Sequence, residues 1–417
     1  MNDNLIFHID VNSAYLSWTA VKLLKEGFGK DIREIPCIVG GDKESRHGIV
    51  LAKSIPAKKY GIVTGEPVVN ALKKCPHLEM VPPEHDYYSQ QSRRFINVLK
   101  SYTPDIEQVS VDECYLDYSG ISRNFSSPIE AAEEIKDKIK NQLGFTVNIG
   151  ISDVKVLAKM ASDFEKPDKI HTLYKNEIQS KMWKLPVENL FMAGKSSVLT
   201  LHKLGIFTIG QLAKSPVDVL ESHLKSHGRM LHEYANGIDD SVVNTEKEEL
   251  KGVGNSTTLS KDVERVEEAE KILLWLSEKV GGRLRKGNQM AKTIAVEIKY
   301  NDFRKVSRQT TFDVPTDSGT DIYNVAKELF GELWTGQPLR LLGVRTSHLV
   351  EPGEPEQLSI MDIMKDTDGK DTPLSENSST DRQTREKMKK LDEALDSIKR
   401  KYGENAVYRA RFLKDDK

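Results

Sequence analysis

Val109-Ser110-Val111-Asp112-Glu113-Cys114-Tyr115-Leu116-Asp117-Tyr118 sets two acids side by side between apolar residues. Val109 and Val111 alternate with polar neighbours, and Tyr115 and Leu116 follow. The pattern predicts two short β-strands meeting at an acidic corner. On a regular strand Asp112 and Glu113 would point to opposite faces. At a turn their carboxylates can converge on one hard cation such as Mg²⁺, which prefers oxygen ligands.

A second stretch, Leu5-Ile6-Phe7-His8-Ile9-Asp10-Val11-Asn12-Ser13-Ala14-Tyr15, is an apolar run of strand length that ends in one acid, Asp10. A carboxylate at the end of a buried strand is costly unless it is paired or binds metal. One acid from this strand and two from the later hairpin would meet the needs of two-metal phosphoryl transfer. In that chemistry one ion activates the attacking hydroxyl and the other steadies the leaving oxygen.

Asp10-Val11-Asn12-Ser13-Ala14-Tyr15 and Ser110-Val111-Asp112-Glu113-Cys114-Tyr115-Leu116-Asp117 together resemble the Y-family translesion DNA polymerases of the DinB/UmuC type. Supporting stretches are His47 to Lys53, Ala57 to Ile62, Gly150-Ile151-Ser152, Leu157 to Ser162 and Lys166-Pro167. The resemblance runs in consistent order over roughly residues 5 to 350. It implies an α+β multidomain fold, a right-hand polymerase with a ferredoxin-like palm, small fingers, a helical thumb and a β-α-β-β-α-β little finger.

Composition agrees with a globular chain of several domains: 417 residues, 38% hydrophobic and 30% charged. No apolar run reaches the length of a membrane span, and no signal peptide is expected. Cys37, Cys75 and Cys114 form no metal-ligand spacing and suit a reducing compartment. The net charge of −2 hides a local asymmetry. Between Arg283 and Arg308, eight basic residues face only two acids, Glu297 and Asp302.

In chain order, a helix is expected over Ser13 to Glu26, with Ala14, Trp18, Val21 and Leu24 inward. Short strands follow at Ile35–Gly40 and Ile49–Lys53, then short helices at Ala57–Gly61 and Pro67–Lys74. Helices at Tyr87–Tyr102, Pro128–Leu143 and Lys155–Phe164, with a strand at Thr146–Ile151, complete a palm whose helices lie on one face. Leu204 to Leu212 resembles the second half of a helix-hairpin-helix, which would offer backbone N–H groups to a phosphate. A second β-α-β-β-α-β unit, topologically like the palm, fills Gly252 to Leu349. The expected bounds are palm 1–11 and 84–173, fingers 12–83, thumb 174–241, linker 242–250, little finger 251–349 and tail 350–417.

By resemblance, Asp10, Asp112 and Glu113 are the catalytic acids and, with the Val11 carbonyl, hold two Mg²⁺ ions. Tyr15 lies under the nucleotide sugar and rejects a 2′-hydroxyl, while Lys58 and Lys166 neutralise the triphosphate of a dNTP. Arg283, Arg285, Lys292, Arg304, Lys305 and Arg308 face primer-template DNA. Gln357, Leu358, Ile360 and Met361, within residues 357–362, resemble a peptide that docks to the sliding clamp. A monomer in the bacterial cytoplasm, associated with the nucleoid and not with membrane, is expected. The chain also departs from the family, whose members usually carry threonine, tyrosine and arginine where Ala52, Ile55 and Lys58 stand here. Two alternatives remain: a nucleotidyl cyclase with a similar palm, and a DNA- and clamp-binding accessory protein with a weak or dead site.

Overall fold

Strand β1 (Ile6–Val11) is the middle strand of a five-stranded sheet and carries Asp10 near its end. The structure is a computed structural model that describes residues 5–41, 48–246, 249–353, 379–403 and 406–407. The peptide at 357–362 lies outside the described residues. The chain divides into two compact units, Met1–Lys247 and Glu248–Lys417.

In the first unit β1 pairs antiparallel with β6 (Glu113–Asp117) and with β7 (Val147–Ser152). The edges are β5 (Ile106–Gln108) and β8 (Ile170–Thr172), giving the order β5-β6-β1-β7-β8. Phe7, Ile9, Leu116, Val147 and Ile149 share one core with Phe95 and Leu99 of one helix (His85–Lys100) and with Ile135 and Ile139 of another (Pro128–Leu143). Each fully buried isoleucine there contributes about 1.5–3 kcal/mol. The second helix starts where Ser127 Oγ accepts the Glu130 N–H and Pro128 occupies the first turn, and it stops at Gly144 with φ 81°.

The helix Lys155–Ser162 packs on the other face, so the expectation of helices on one face alone is corrected. Gly150 on β7 is what lets it approach. A Cβ there would lie 2.0 Å from the Ala158 carbonyl oxygen and 2.4 Å from the Ser162 nitrogen. Every residue of β7 is buried, as a strand covered on both faces must be.

Helix Ala14–Lys25 follows β1 directly and buries Ala14, Trp18 and Val21, whereas Leu24 is exposed. A three-stranded sheet, ordered β3 (Val50–Lys53), β2 (Cys37–Gly40), β4 (Glu79–Val81), forms the adjoining small region. Strands β4 and β8 were not expected; at three residues each they carry too little pattern to be read. Four short helices between Lys195 and Ala235 form a helical region whose core, around Leu201, Leu212 and Leu231, it shares with Leu157 and Met160 of the helix Lys155–Ser162.

In the second unit the four strands are β9 (Gly252–Val263), β10 (Met290–Tyr300), β11 (Lys305–Thr316) and β12 (Leu339–Val350). Their order is β11-β10-β12-β9. The β-α-β-β-α-β succession is as expected, but the topology differs from the first sheet. There the first two strands in chain order, β1 and β5, flank the third, β6; here β9 and β10 flank the fourth, β12. Succession is written in the sequence, whereas lateral order depends on which apolar faces meet. Helices Val266–Lys286 and Gly319–Leu333 cover one face of this sheet over Ile294, Val296, Ile298, Leu342 and Val344. Among the described residues no helix is long and apolar enough to cross a membrane.

Candidate active site

Register brings the three acids together. Asp10 stands opposite Glu113 across β1 and β6, and the Val11 N–H donates to the Asp112 carbonyl at 2.9 Å. The corner is a turn rather than a strand extension: the Val109 and Ser110 N–H groups both donate to the Glu113 carbonyl. Val109 and Val111 are therefore turn residues and exposed, which corrects their reading as strand residues. Ser110 Oγ donates to Asp112 Oδ1 at 2.6 Å and fixes that carboxylate.

Each acid has a different neighbourhood. Burial raises the Asp112 pKa above the usual carboxylate range; the Ser110 hydroxyl opposes this, and Asp10 and Glu113 add to it. Among the described residues Asp112 has no basic partner. Glu113 is held down at about 2, first by the hydrogen bond from His8 and, against its burial, by the Lys159 ammonium. Buried His8 has its Nδ1 2.8 Å from Ser162 Oγ and its Nε2 3.4 Å from Glu113 Oε2, and burial lowers its pKa. Lys159 Nζ lies 3.0 Å from Glu113 Oε2 and 3.7 Å from Asp10 Oδ2. Lys166 Nζ lies 2.8 Å from Asp10 Oδ1 and 2.9 Å from Asp163 Oδ1. Burial disfavours both ammonium groups, but the surrounding carboxylates outweigh it and raise both pKa values.

A cleft of about 480 Å³ opens beside these acids. Asp10, Val11, Tyr15, Asp112 and Lys166 line it together with Lys53 and Lys58. Tyr15 is half-buried, and its ring stacks on Tyr88 at 4.5 Å and 11°. The Tyr88 hydroxyl is in turn 2.8 Å from Thr19 Oγ1. Ser13 turns the chain from β1 into the helix at φ 46°, a left-handed geometry that costs a non-glycine residue about 1–2 kcal/mol.

The donor set fits hard divalent ions: three carboxylates on one strand corner, one of them repelled by the other two. Among the described residues no three His, Cys, Asp or Glu side chains close tightly enough to hold an ion as they stand. Lysine ammonium groups sit on both oxygens of Asp10 instead.

Other expected residues are distributed differently. The Arg285 guanidinium is turned to the helix Ser379–Tyr402, with Nε 2.7 Å from Asp396 Oδ2 and Nη1 3.5 Å from Asp392 Oδ2. Its Nη1 also donates to the Asp317 carbonyl at 2.7 Å. Arg308 pairs with Glu332 at 2.6 Å on the helix-bearing side. Lys305 pairs with Glu297 at 2.6 Å, and exposed Arg304 donates to Gln337. Exposed Arg283 donates to the Gly254 carbonyl, and Lys292 is half-buried on β10. The face without helices carries Glu297 and Arg345, which share a shallow groove with Gly254 and Ser256.

The expected phosphate-binding hairpin is also corrected. Phe207 and Thr208 N–H groups donate to Gln211 Oε1, Gln211 N–H donates to Thr208 Oγ1, and Ile209 and Gly210 N–H groups donate to Leu185 and Trp183 carbonyls. Those amides are satisfied within the protein.

His8, Lys159, Lys53 and Arg345 escaped the sequence reading. Period-two alternation on β1 puts His8 on the same face as Asp10, a signal that was present. Lys159 lies four residues before Asp163 on a helix, which also hinted at its pairing.

Two family models match: the impB/mucB/samB family over residues 9–163 and its C-terminal domain over residues 250–360. Curated relatives named DNA polymerase IV match along nearly their whole length. The one from Clostridium acetobutylicum is 48% identical over 99% of this chain and 99% of its own. That from Moorella thermoacetica is 37% identical over 99% and 97%. A solved Y-family DNA polymerase chimera superposes with a TM-score of 0.72 at 24% identity, covering 84% of this chain and 100% of that one, a likeness of fold. The chain belongs to the impB/mucB/samB family, that of the Y-family DNA polymerases.

Proposed function

We propose that this DNA-directed DNA polymerase extends a primer on a template by two-metal phosphoryl transfer and serves in translesion synthesis and DNA repair. The observation that carries the reading is that Asp10 and Asp112 line a cleft shared with Tyr15, Lys58 and Lys166, with Glu113 opposite Asp10 across the two strands. In this reading the five-stranded sheet is the palm, residues 12–83 the fingers, 174–241 the thumb and 251–349 the little finger.

Asp10 and Asp112, with the Val11 carbonyl, would hold the ion on the nucleotide, and Glu113 with the same two acids the ion at the primer end. When bound, Mg²⁺ lowers the pKa of the primer hydroxyl and stabilises the charge on the leaving pyrophosphate. Neutral His8 orients Glu113 through its Nε2 side. Lys166 exchanges its hold on Asp10 for the triphosphate, and Lys58 meets the same phosphates from the fingers. Tyr15, backed by Tyr88, closes the space beside the sugar C2′ to a hydroxyl. Small fingers bear lightly on the nascent pair, which supports tolerance of damaged templates.

Primer-template DNA lies along the sheet face that carries Lys305 and Arg345. Gln357, Leu358, Ile360 and Met361 dock a monomer to the sliding clamp in the bacterial cytoplasm, at the nucleoid. Removing residues 357–362 should abolish clamp stimulation and spare basal extension, because docking acts through effective concentration. The cyclase alternative leaves the second unit without a use, although the relatives match across it. Primer extension with four dNTPs and Mg²⁺ tests the reading. Template-dependent extension supports it, and DNA binding without extension would favour the accessory-protein alternative.

A further inference from the structure

Lys53 closes β3 in the wall of the same cleft. Its neighbour Ala52 is buried at 8% exposure, and Lys53 is half-buried. Its Nζ donates to Thr64 Oγ1 at 3.1 Å. Among the described residues neither Lys53 nor Lys58 forms an ion pair with a carboxylate. The acid that Lys53 senses, Glu66, is engaged by Lys74 at 2.7 Å and by the Val63 N–H. Burial pushes the Lys53 pKa below the ordinary lysine value, and the Lys58 ammonium pushes it the same way. Two like charges on one partly desolvated wall are unfavourable by themselves, and a polyanion in the cleft relieves them.

We propose that Lys53, steadied by Thr64, is a further triphosphate-binding residue that stands in for the hydroxyl donors missing at Ala52 and Ile55. The proposal rests on the polymerase reading. It adds a cation that resemblance does not assign, on the strand next to the helix that carries Lys58. A charge-assisted contact replaces two neutral ones, so the nucleotide is held by three lysines rather than by hydroxyls and an arginine fork.

The test uses the full chain on an undamaged primer-template. Single-nucleotide insertion gives KM and kcat for the wild type, Lys53→Ala and Lys53→Arg. Equilibrium titration with Ca²⁺ in place of Mg²⁺ gives affinities for the matching dNTP and for its dNMP. Lys53→Ala should raise KM about tenfold with kcat within about threefold, and Lys53→Arg should restore KM to within about threefold. The preference for dNTP over dNMP should fall with the alanine variant, because the monophosphate lacks the β- and γ-phosphates. An unchanged KM in Lys53→Ala, with an active wild type, would overturn the proposal and leave the polymerase reading intact. Equal loss of dNTP and dNMP would also overturn it and make Lys53 a structural support of the strand. A wild type that fails to extend any primer would overturn the polymerase reading, and this proposal with it.

Discussion

Asn12 Nδ2 donates to Asn148 Oδ1 at 3.0 Å, and both residues are buried. This contact ties the end of β1 to β7, and the two side chains go on to hold the loop that carries Lys166. Asn148 Nδ2 donates to the Ser162 and Glu165 carbonyls at 3.1 and 2.7 Å, and Asn12 Oδ1 accepts the Asp168 N–H at 3.0 Å. Lys166 is thus placed from both sides by two side-chain amides.

Asn148→Ala removes the acceptor of the Asn12 side-chain amide and of the Lys169 N–H, and the donor to the Ser162 and Glu165 carbonyls. Stability should fall by about 2–3 kcal/mol, and KM for dNTP should rise more than kcat falls. Urea denaturation and steady-state kinetics check this; a loss below about 0.5 kcal/mol would show that the loop is held by other means.

The two acids of the corner predict opposite pH effects in metal-free protein. Glu113 has a lowered pKa, so its stabilisation is present above the unfolded value of 4.5 and is lost as pH falls toward about 2. Asp112 has a raised pKa, so the protonated form is favoured on folding and that advantage is lost as pH rises through its folded pKa. With chelator at pH 7, Asp112→Asn should melt above the wild type and Glu113→Gln below it. Melting curves at pH 7 and pH 3 decide this, and the Glu113 difference should shrink at the lower pH.

Tyr15→Ala should admit ribonucleotides, lowering dNTP-over-rNTP selection by about 100-fold or more. Tyr88→Leu, which removes the ring stacked on Tyr15, should give a smaller loss of the same kind. Selection unchanged in both would make Tyr15 a plain packing residue.

Arg285→Ala should release the helix Ser379–Tyr402 from its bidentate contact with Asp396 and leave DNA affinity within about twofold. Arg345→Ala or Lys305→Ala should weaken DNA binding and reduce the salt slope by about one. Hydrogen exchange over residues 379–403 and binding isotherms at several salt concentrations separate the two effects. A large DNA defect in Arg285→Ala would make it a DNA contact.

What the sequence disclosed was local. The β1 run ending in Asp10, the Ser127-Pro128 start of a helix and the acid pair at 112–113 are short-range signals, and each lies where it was read. Val109 and Val111 misled because β-branched residues in a turn look like strand residues. The Arg285 contact with Asp396 was not legible because counting charges along the chain cannot show which side of a helix each occupies. The lateral order of the second sheet, the helix on the far face at Gly150 and the His8–Glu113 contact arise from packing between distant segments. Lys53 escaped because the resemblance points to the positions of the family's missing donors, Ala52 one residue before it and Ile55 two residues after it.

Single-turnover incorporation by wild type and by Asp112→Asn, on the same primer-template with Mg²⁺ and saturating dNTP, tests the central claim most directly. Loss of an outer-shell partner of a metal ligand already costs 10–100-fold, so loss of the ligand itself should slow incorporation by more than about 100-fold. DNA affinity, measured in parallel, should stay within about twofold. Incorporation by Asp112→Asn at near the wild-type rate would contradict the assignment of the three acids as the metal-dependent centre.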